Sequence, residues 1–278
     1  MPVSAADLPR AREAFGRLVE IMARLRGPDG CPWDREQTLQ SLAPYVLEEA
    51  AEVVDAIERG DPDNLREEVG DLLFEGVFLA QVAHDDGSFD VADALETVNE
   101  KLVRRHPHVF DRGRDLSSGE VKAQWDDIKR GEKAARGEAP PGVLDGIPTA
   151  LPALMRASAL CRKAATVGFD WPTPEAVLEK VGEEVDEVRD AVAAGNREAA
   201  AEEIGDLLFV IANLARRLDL DPEAALRAAN LKFERRFSAM HAAVEATGQT
   251  LGAASLDEME NAWQAVKRAE RGDHDTSR

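Results

Sequence analysis

The sequence of 278 residues has little cysteine, few aromatic residues and no long apolar run. Its two cysteines, Cys31 and Cys161, are too few for a disulfide framework or a structural zinc site. No apolar stretch approaches the roughly 20 residues needed to span a bilayer. The first residues, MPVSAADLPR, show no signal-peptide pattern. We therefore expect a cytoplasmic protein that has no membrane partner.

Positive charge is also scarce, since 34 Lys and Arg face 54 Asp and Glu, for a net charge of −20. A general nucleic-acid surface needs an excess of cations to neutralise phosphates, so we expect no nucleic-acid partner. A small phosphorylated ligand is still compatible, provided that a metal ion and a few local cations offset the repulsion. Runs of β-branched residues are rare, which favours a mostly helical fold.

The chain contains two copies of one pattern, in the same order. The best-matched segments are LREEVGDLLFEGVFLAQVA (65–83) and AAEEIGDLLFVIANLARRL (200–218). Nothing alternates with the period of a strand, so the fold class that we predict is all-α, a tandem repeat of two helical-bundle domains. Each bundle is expected to have four core helices and a shorter terminal one. The predicted parts are an N-terminal domain, a Gly- and Pro-rich linker and a C-terminal domain, at 1–133, 134–150 and 151–278.

Helix boundaries are marked by capping residues. Asp61-Pro62 and Asp221-Pro222 each supply an N-cap followed by proline in the first helical position. Ser117 with Glu120, and Ser255 with Glu258, have the spacing of a capping box. The connections at 58–64 and 193–198 are short, so the helices on either side should be antiparallel neighbours.

Pairs of acidic residues recur beside the apolar stripes of two consecutive helices. In the first helix Val46, Ala50, Val53 and Ile57 form the expected core stripe, and the acids lie along one edge of it at about 100° per residue. The next helix carries acids at the same angles, so antiparallel packing brings four carboxylates to one edge. The predicted metal ligands are Glu49, Glu52, Glu68 and Asp71 in the first copy, and Glu184, Glu187, Glu203 and Asp206 in the second.

Four clustered carboxylates cannot all stay ionised without a counter-charge. An all-oxygen cluster suits a hard cation, Mg²⁺ or alternatively Mn²⁺. Iron is disfavoured because no histidine follows these glutamates at the spacing of a di-iron bundle. The alternative is solvated surface charge, which explains a single pair well but matched pairs on consecutive helices poorly.

Basic and aromatic residues recur in both copies as well. Lys232 and Arg236 share a helix face and can grip phosphate oxygens, or they form an ordinary solvated turn. Lys180 lies one turn before Glu184, where it can either contact a phosphate or form an intrahelical ion pair with Glu184. Trp263 with Lys267 is suited to stacking on a base and touching a phosphate, although an anchor for the terminal helix is the alternative. The predicted substrate-binding residues are Lys180, Lys232, Arg235, Arg236, Trp263, Lys267, Lys101 and Arg105.

The two acidic segments, residues 46–73 and 181–208, resemble the MazG family of nucleoside triphosphate pyrophosphohydrolases. GCPWDREQT, RRHPHVF and GFDW strengthen the resemblance, which covers nearly the whole chain in the two-domain bacterial form. It implies an all-α NTP pyrophosphatase fold, a homodimer and Mg²⁺ held by the four acids. It also implies cleavage of NTPs and dNTPs between the α- and β-phosphates, to a nucleoside monophosphate and pyrophosphate, in a house-cleaning role.

The resemblance also implies roles for single residues. Glu183 and Glu184 are the expected catalytic carboxylates, and Lys232 and Arg236 add electrostatic stabilisation. The C-terminal copy is expected to be the main catalytic one. Competing interpretations are a regulatory bundle that senses nucleotide or metal without turnover, a narrower hydrolase of dUTP or guanosine alarmones, and a structural helical scaffold.

Overall fold

A computed structural model describes residues 7–111, 116–135 and 142–275. All regular structure in those ranges is helical, in agreement with the predicted all-α class. The chain divides into two compact units, Met1–Arg136 and Gly137–Arg278. Part of the predicted linker, residues 136–141, lies outside the described residues. No helix in the described ranges is long and apolar enough to cross a membrane.

The first unit is centred on two long antiparallel helices, α3 and α4. Gly60 ends α3 in the left-handed conformation at φ 66°, which glycine adopts without steric cost. Asp61 then caps α4 by accepting hydrogen bonds from the backbone N–H groups of Asp63 and Asn64. The helices of this unit are α1 Asp7–Arg26, α2 Pro32–Glu36, α3 Leu39–Arg59, α4 Pro62–Asp85, α5 Val91–Arg105, α6 Pro107–Phe110 and α7 Ser118–Ala135.

The second unit repeats this arrangement with α9 and α10 as its antiparallel pair. Asn196 caps α10, and Gly195 precedes it with φ 64°. Asp221 caps α11, and Ser255 and Glu258 form the predicted capping box. The helices are α8 Ala153–Ala165, α9 Pro174–Ala193, α10 Arg197–Arg217, α11 Pro222–Glu245 and α12 Leu256–Asp275, with a 3₁₀ turn at Leu251–Ala253.

Each antiparallel pair is covered by a further helix on one side. In the first unit α1 packs on α4, and the core contains Met22, Leu42 and Phe78, all with no exposed surface. The ring of Trp33, from α2, lies edge-on to Phe78 at 6.5 Å. In the second unit α8 packs on α10, where Cys161 and Ala212 are buried.

The predicted core stripe was partly wrong. Ile57 is 58% exposed, and burial on α3 occurs at Leu42 and Ala56 instead. The reason is that helices of the same unit cover only one side of each pair, so the apolar residues on the other side remain open. In the second unit these residues form what we call the exposed stripe: Leu178, Val185 and Val192 on α9, with Ile204, Leu208 and Ile211 on α10, each 40–64% exposed.

Candidate functional site

Three of the predicted acids of the second unit converge between α9 and α10. Carboxylate oxygens of Glu184, Glu203 and Asp206 all lie within 4.8 Å of one another. Glu184 is only 4% exposed, and its Oε2 atom is buried with no hydrogen-bond partner among the described residues. The antiparallel pairing therefore produces the convergence that helical spacing predicts.

The first unit repeats the cluster between α3 and α4. Oxygens of Glu49, Glu68 and Asp71 lie within 4.8 Å of one another. The side-chain amide of Asn64 donates to Glu68, one turn along α4. In the part of the chain that the structure describes, the buried Oε2 of Glu49 has no partner. Both units thus hold a buried carboxylate oxygen that lacks a donor.

The fourth predicted acid of each cluster lies at its margin. Burial and the neighbouring charge of Glu68, which also shares a hydrogen bond with it, raise the pKa of Glu52. Glu187 lies 4.0 Å from the Nζ atom of Lys180, and its charge helps to raise the pKa of Glu203. Glu52 and Glu187 therefore flank the three converging carboxylates.

Carboxylates of like charge crowd together in both clusters. Burial, followed by the charges of Glu52, Asp71 and Glu68, raises the pKa of Glu49. Burial, followed by the charges of Glu187, Asp206 and Glu184, raises the pKa of Glu203. Carboxylate oxygens alone, some of them buried and unpartnered, are the donor set of a hard divalent cation. The residues present fit Mg²⁺ or Mn²⁺.

Lys180 reaches into the cluster of the second unit. Its Nζ atom lies 2.9 Å from Glu184 and 3.1 Å from the exposed Glu183. Hydrogen bonds to these two carboxylates raise the pKa of Lys180. The predicted phosphate contact therefore lies beside both carboxylates that sequence analysis predicts to be catalytic.

The predicted arginines are held by acids on the last helix of each unit. Arg235 and Arg236 of α11 both pair with Glu270 of α12, at 3.0 and 2.7 Å. In the first unit Arg104 and Arg105 pair with Glu132, at 2.7 and 2.6 Å, which lowers the pKa of Glu132 to about 2. Sequence analysis missed these two glutamates, although Glu132 and Glu270 occupy matching places, each fifteen residues after the capping serine Ser117 or Ser255.

The other predicted nucleotide contacts lie on α5, α11 and α12. The ring of Trp263 lies 5.6 Å from that of Phe233, and Phe233 stacks on Phe237. Trp263 therefore packs α12 on α11 and keeps part of its own surface exposed. Lys232 is exposed on α11, Lys267 is partly buried on α12, and Lys101 is partly buried on α5.

One further acid, Glu75 of α4, was missed by sequence analysis. It is 6% exposed, and its Oε2 has no partner within residues 7–111, 116–135 and 142–275. Burial and the charge of Glu49 raise the pKa of Glu75. The corresponding residue of the second unit is Val210, which is also buried. The sequence did carry a signal for this residue. Glu75 interrupts the apolar segment DLLFEGVFLA at a position where the second copy has valine.

Comparison with known proteins identifies the family. The model of the MazG nucleotide pyrophosphohydrolase domain matches residues 37–110 and 172–241, so both acidic clusters lie within matched segments. The chain belongs to the MazG family, which confirms the resemblance inferred from the acidic motifs.

Curated relatives extend the match to most of the chain. A nucleoside triphosphate pyrophosphohydrolase of Escherichia coli (strain K12) is 50% identical over 259 residues, which cover 91% of this chain and 97% of the relative. A nucleoside triphosphate pyrophosphohydrolase/pyrophosphatase MazG of Thermotoga maritima is 43% identical over 253 residues, covering 91% and 95%. Both similarities therefore span the two units together.

Proposed function

We propose that this protein hydrolyses nucleoside triphosphates, both NTPs and dNTPs, between the α- and β-phosphates to a nucleoside monophosphate and pyrophosphate. The observation that carries the proposal is the convergence of Glu184, Glu203 and Asp206 within 4.8 Å, in a chain of the MazG family. Lys180 at 2.9 Å from Glu184 adds a cation where a phosphate would approach.

The proposed metal ligands of the second unit are Glu184, Glu187, Glu203 and Asp206, with Glu49, Glu52, Glu68 and Asp71 in the first. Mg²⁺, which Mn²⁺ can replace, would supply there charge neutralisation and a bound water of lowered pKa. Lys180 turns from the acids to a phosphate oxygen when nucleotide binds, which leaves Glu183 free to accept the proton of the attacking water.

Basic residues of α11 complete the proposed site. Lys232 and Arg236 stabilise the charge that develops on the leaving pyrophosphate. Glu270 holds Arg235 and Arg236 in place before nucleotide arrives. Trp263 and Lys267 contribute the base and phosphate contacts, and Lys101 and Arg105 are the first-unit counterparts of Lys232 and Arg236.

We further propose a homodimer that forms through the exposed stripe. Leu178, Val185 and Val192 are spaced by seven residues, so they form one line along α9. The line on α10 runs beside it, and these six apolar side chains are about half exposed. A second copy of the chain is the occupant that a repeated apolar helix face favours. A cytoplasmic location, among free nucleotides and away from membrane and nucleic acid, fits this role.

The test is product analysis on the full chain. The protein is incubated with Mg²⁺ and a panel of NTPs and dNTPs, and pyrophosphate, orthophosphate and monophosphate are quantified. Pyrophosphate with monophosphate supports the proposal. Release of orthophosphate, or nucleotide binding without product, contradicts it, and the second result favours a sensor. Including dUTP and guanosine tetraphosphate reveals a narrower hydrolase.

Single substitutions then show which unit turns over. Glu184→Gln is expected to abolish pyrophosphate release, since it removes the buried carboxylate of the second cluster, and Glu49→Gln is the equivalent change in the first. Glu179→Gln, an exposed acid on the same helix as Glu184, is the matched control and should retain activity. Full turnover by Glu184→Gln would refute the role of the second cluster.

A further inference from the structure

The two acidic clusters differ in the residues that surround otherwise matching acids. The first cluster has Glu75 beside it, where the second has Val210. The second cluster has Lys180 within it, where the first has Tyr45. The first cluster therefore gains one carboxylate and lacks one ammonium group. This difference in charge favours cation binding at the first cluster.

Among the residues that the structure describes, no cation pairs with Glu75 to offset its burial. It is 94% shielded from solvent, and among the residues that the structure describes its Oε2 finds no donor, as is also the case for Oε2 of Glu49. A buried carboxylate without a partner is costly, and a cation is one means of compensation. Val210 fills the equivalent place without any such cost. The fold of the second unit thus buries an apolar residue at the place where the first unit buries a carboxylate.

In the second unit the ammonium group of Lys180 offsets part of the negative charge of the acidic cluster. Its ammonium group lies 2.9, 3.1 and 4.0 Å from Glu184, Glu183 and Glu187, so it occupies part of the space and charge that a cation would take. Tyr45 cannot act in this way, because a neutral phenol carries no positive charge, and its ring instead packs edge-on to Trp33 at 6.1 Å. A cation that enters the second cluster must displace Lys180, whereas the first cluster has no lysine at this place.

We propose that the first cluster is a nucleotide-independent divalent-cation site supported by the buried carboxylate of Glu75, whereas the second cluster binds its cation together with nucleotide, whose phosphates accept Lys180. The inference rests on the metal-binding role proposed above. It gives Glu75, one turn beyond Asp71 on α4, the role of a buried carboxylate that strengthens cation binding at the cluster. It also gives the two units different functions: the first holds a resident cation and the second takes up cation with substrate.

The test measures binding of Mn²⁺ alone to the full chain, by electron paramagnetic resonance of the free ion. The second cluster is disabled by Glu203→Gln with Asp206→Asn, and the first by Glu68→Gln with Asp71→Asn. We expect the chain with only the first cluster to bind Mn²⁺ without nucleotide. The chain with only the second cluster should bind Mn²⁺ at least tenfold more tightly when an α,β-methylene triphosphate, which cannot be cleaved at that bond, is added.

Exchanging the residues that differ between the two clusters tests whether they cause the difference in cation binding. In the chain with only the first cluster, Glu75→Val and Glu75→Gln should each weaken Mn²⁺ binding by about 10- to 100-fold, and Tyr45→Lys should weaken it as well. In the chain with only the second cluster, Lys180→Tyr should tighten Mn²⁺ binding without nucleotide. Glu67→Gln, an exposed acid on the same helix as Glu75, is the matched control. Thermal melting followed by circular dichroism verifies that each variant is folded.

Unchanged Mn²⁺ affinity in folded Glu75→Val and Glu75→Gln would overturn the inference. The same holds if the first cluster binds Mn²⁺ only when the nucleotide analogue is present. Neither result bears on pyrophosphate release, which is measured separately. If the wild-type chain binds Mn²⁺ as expected but releases no pyrophosphate, the proposed function is refuted and the proposed cation site is not.

Discussion

The exposed stripe makes dimerisation the most direct property to perturb. Val192 lies at the end of the stripe, 64% exposed, five residues beyond Glu187. We predict that Val192→Glu converts the proposed dimer to monomers while each unit stays folded. Glutamate is a good helix former, so α9 itself should persist. The change acts on association and leaves the carboxylates of the cluster in place.

The magnitude follows from the exposed fractions. Complete burial of an aliphatic side chain stabilises by about 1.5–3 kcal/mol, and roughly half of each stripe residue is still exposed, so each should contribute about 1 kcal/mol on association. Six such residues on each of two subunits give a gross gain of about 12 kcal/mol, against an association cost of about 4–15 kcal/mol. The net margin is small. Two buried charges per dimer, each costing several kcal/mol, should raise the dissociation constant at least ~100-fold.

Sedimentation equilibrium of the wild type and of Val192→Glu over a wide concentration range measures the two constants. Leu256→Glu is the control, because Leu256 is 76% exposed and lies on α12, away from the stripe. Its dissociation constant should match that of the wild type. The reasoning is refuted if Val192→Glu dimerises as tightly as the wild type, or if the wild type is monomeric at all concentrations.

Three further predictions concern the sites and the core. Glu270→Gln should raise KM for nucleotide more than it lowers kcat, because Arg235 and Arg236 lose the carboxylate that positions them; a steady-state titration measures both, and equal KM values would contradict it. Glu203→Gln should raise the melting temperature in EDTA at pH 7. In the wild type, burial and the charge of Glu187 raise the folded-state pKa of Glu203, so the stability that its protonation contributes is present at low pH and lost as pH rises. The gain in melting temperature of Glu203→Gln over the wild type should therefore vanish near pH 4 in melting curves. Phe78→Ala should cost about 3–5 kcal/mol in urea unfolding, since Phe78 is fully buried; a loss below 1 kcal/mol would contradict it.

Helical periodicity and capping predicted most of the architecture. Asp61 and Asp221 start their helices as expected, and the short connections place α3 beside α4 and α9 beside α10. The convergence of three acids per unit also follows from spacing, because antiparallel helices with matched angles share one edge. These features are local, and local rules suffice for them.

Features that depend on a third helix could not be predicted in this way. Periodicity shows that Ile57 lies on an apolar face, but only the position of α1 determines which side of the pair is covered. Glu75 lies in a segment that looks uniformly apolar, so its position beside Glu49 appears only when both helices are in place. The ion pairs of Glu132 and Glu270 join residues about 30 positions apart in the chain, beyond the reach of helical spacing.

The two copies differ at several positions of the second helix of each pair. Asn213 of α10 is fully buried where the first copy has Phe78, and it lines a cavity of about 280 Å³ together with Phe169 and Trp171. In the first unit the ring of Phe78 is part of the packed core instead. The capping residues and helix pairing are shared, whereas the side chains around the clusters differ in charge and volume. These differences in charge and volume on a shared helical framework are the basis for proposing that the two clusters bind cations differently.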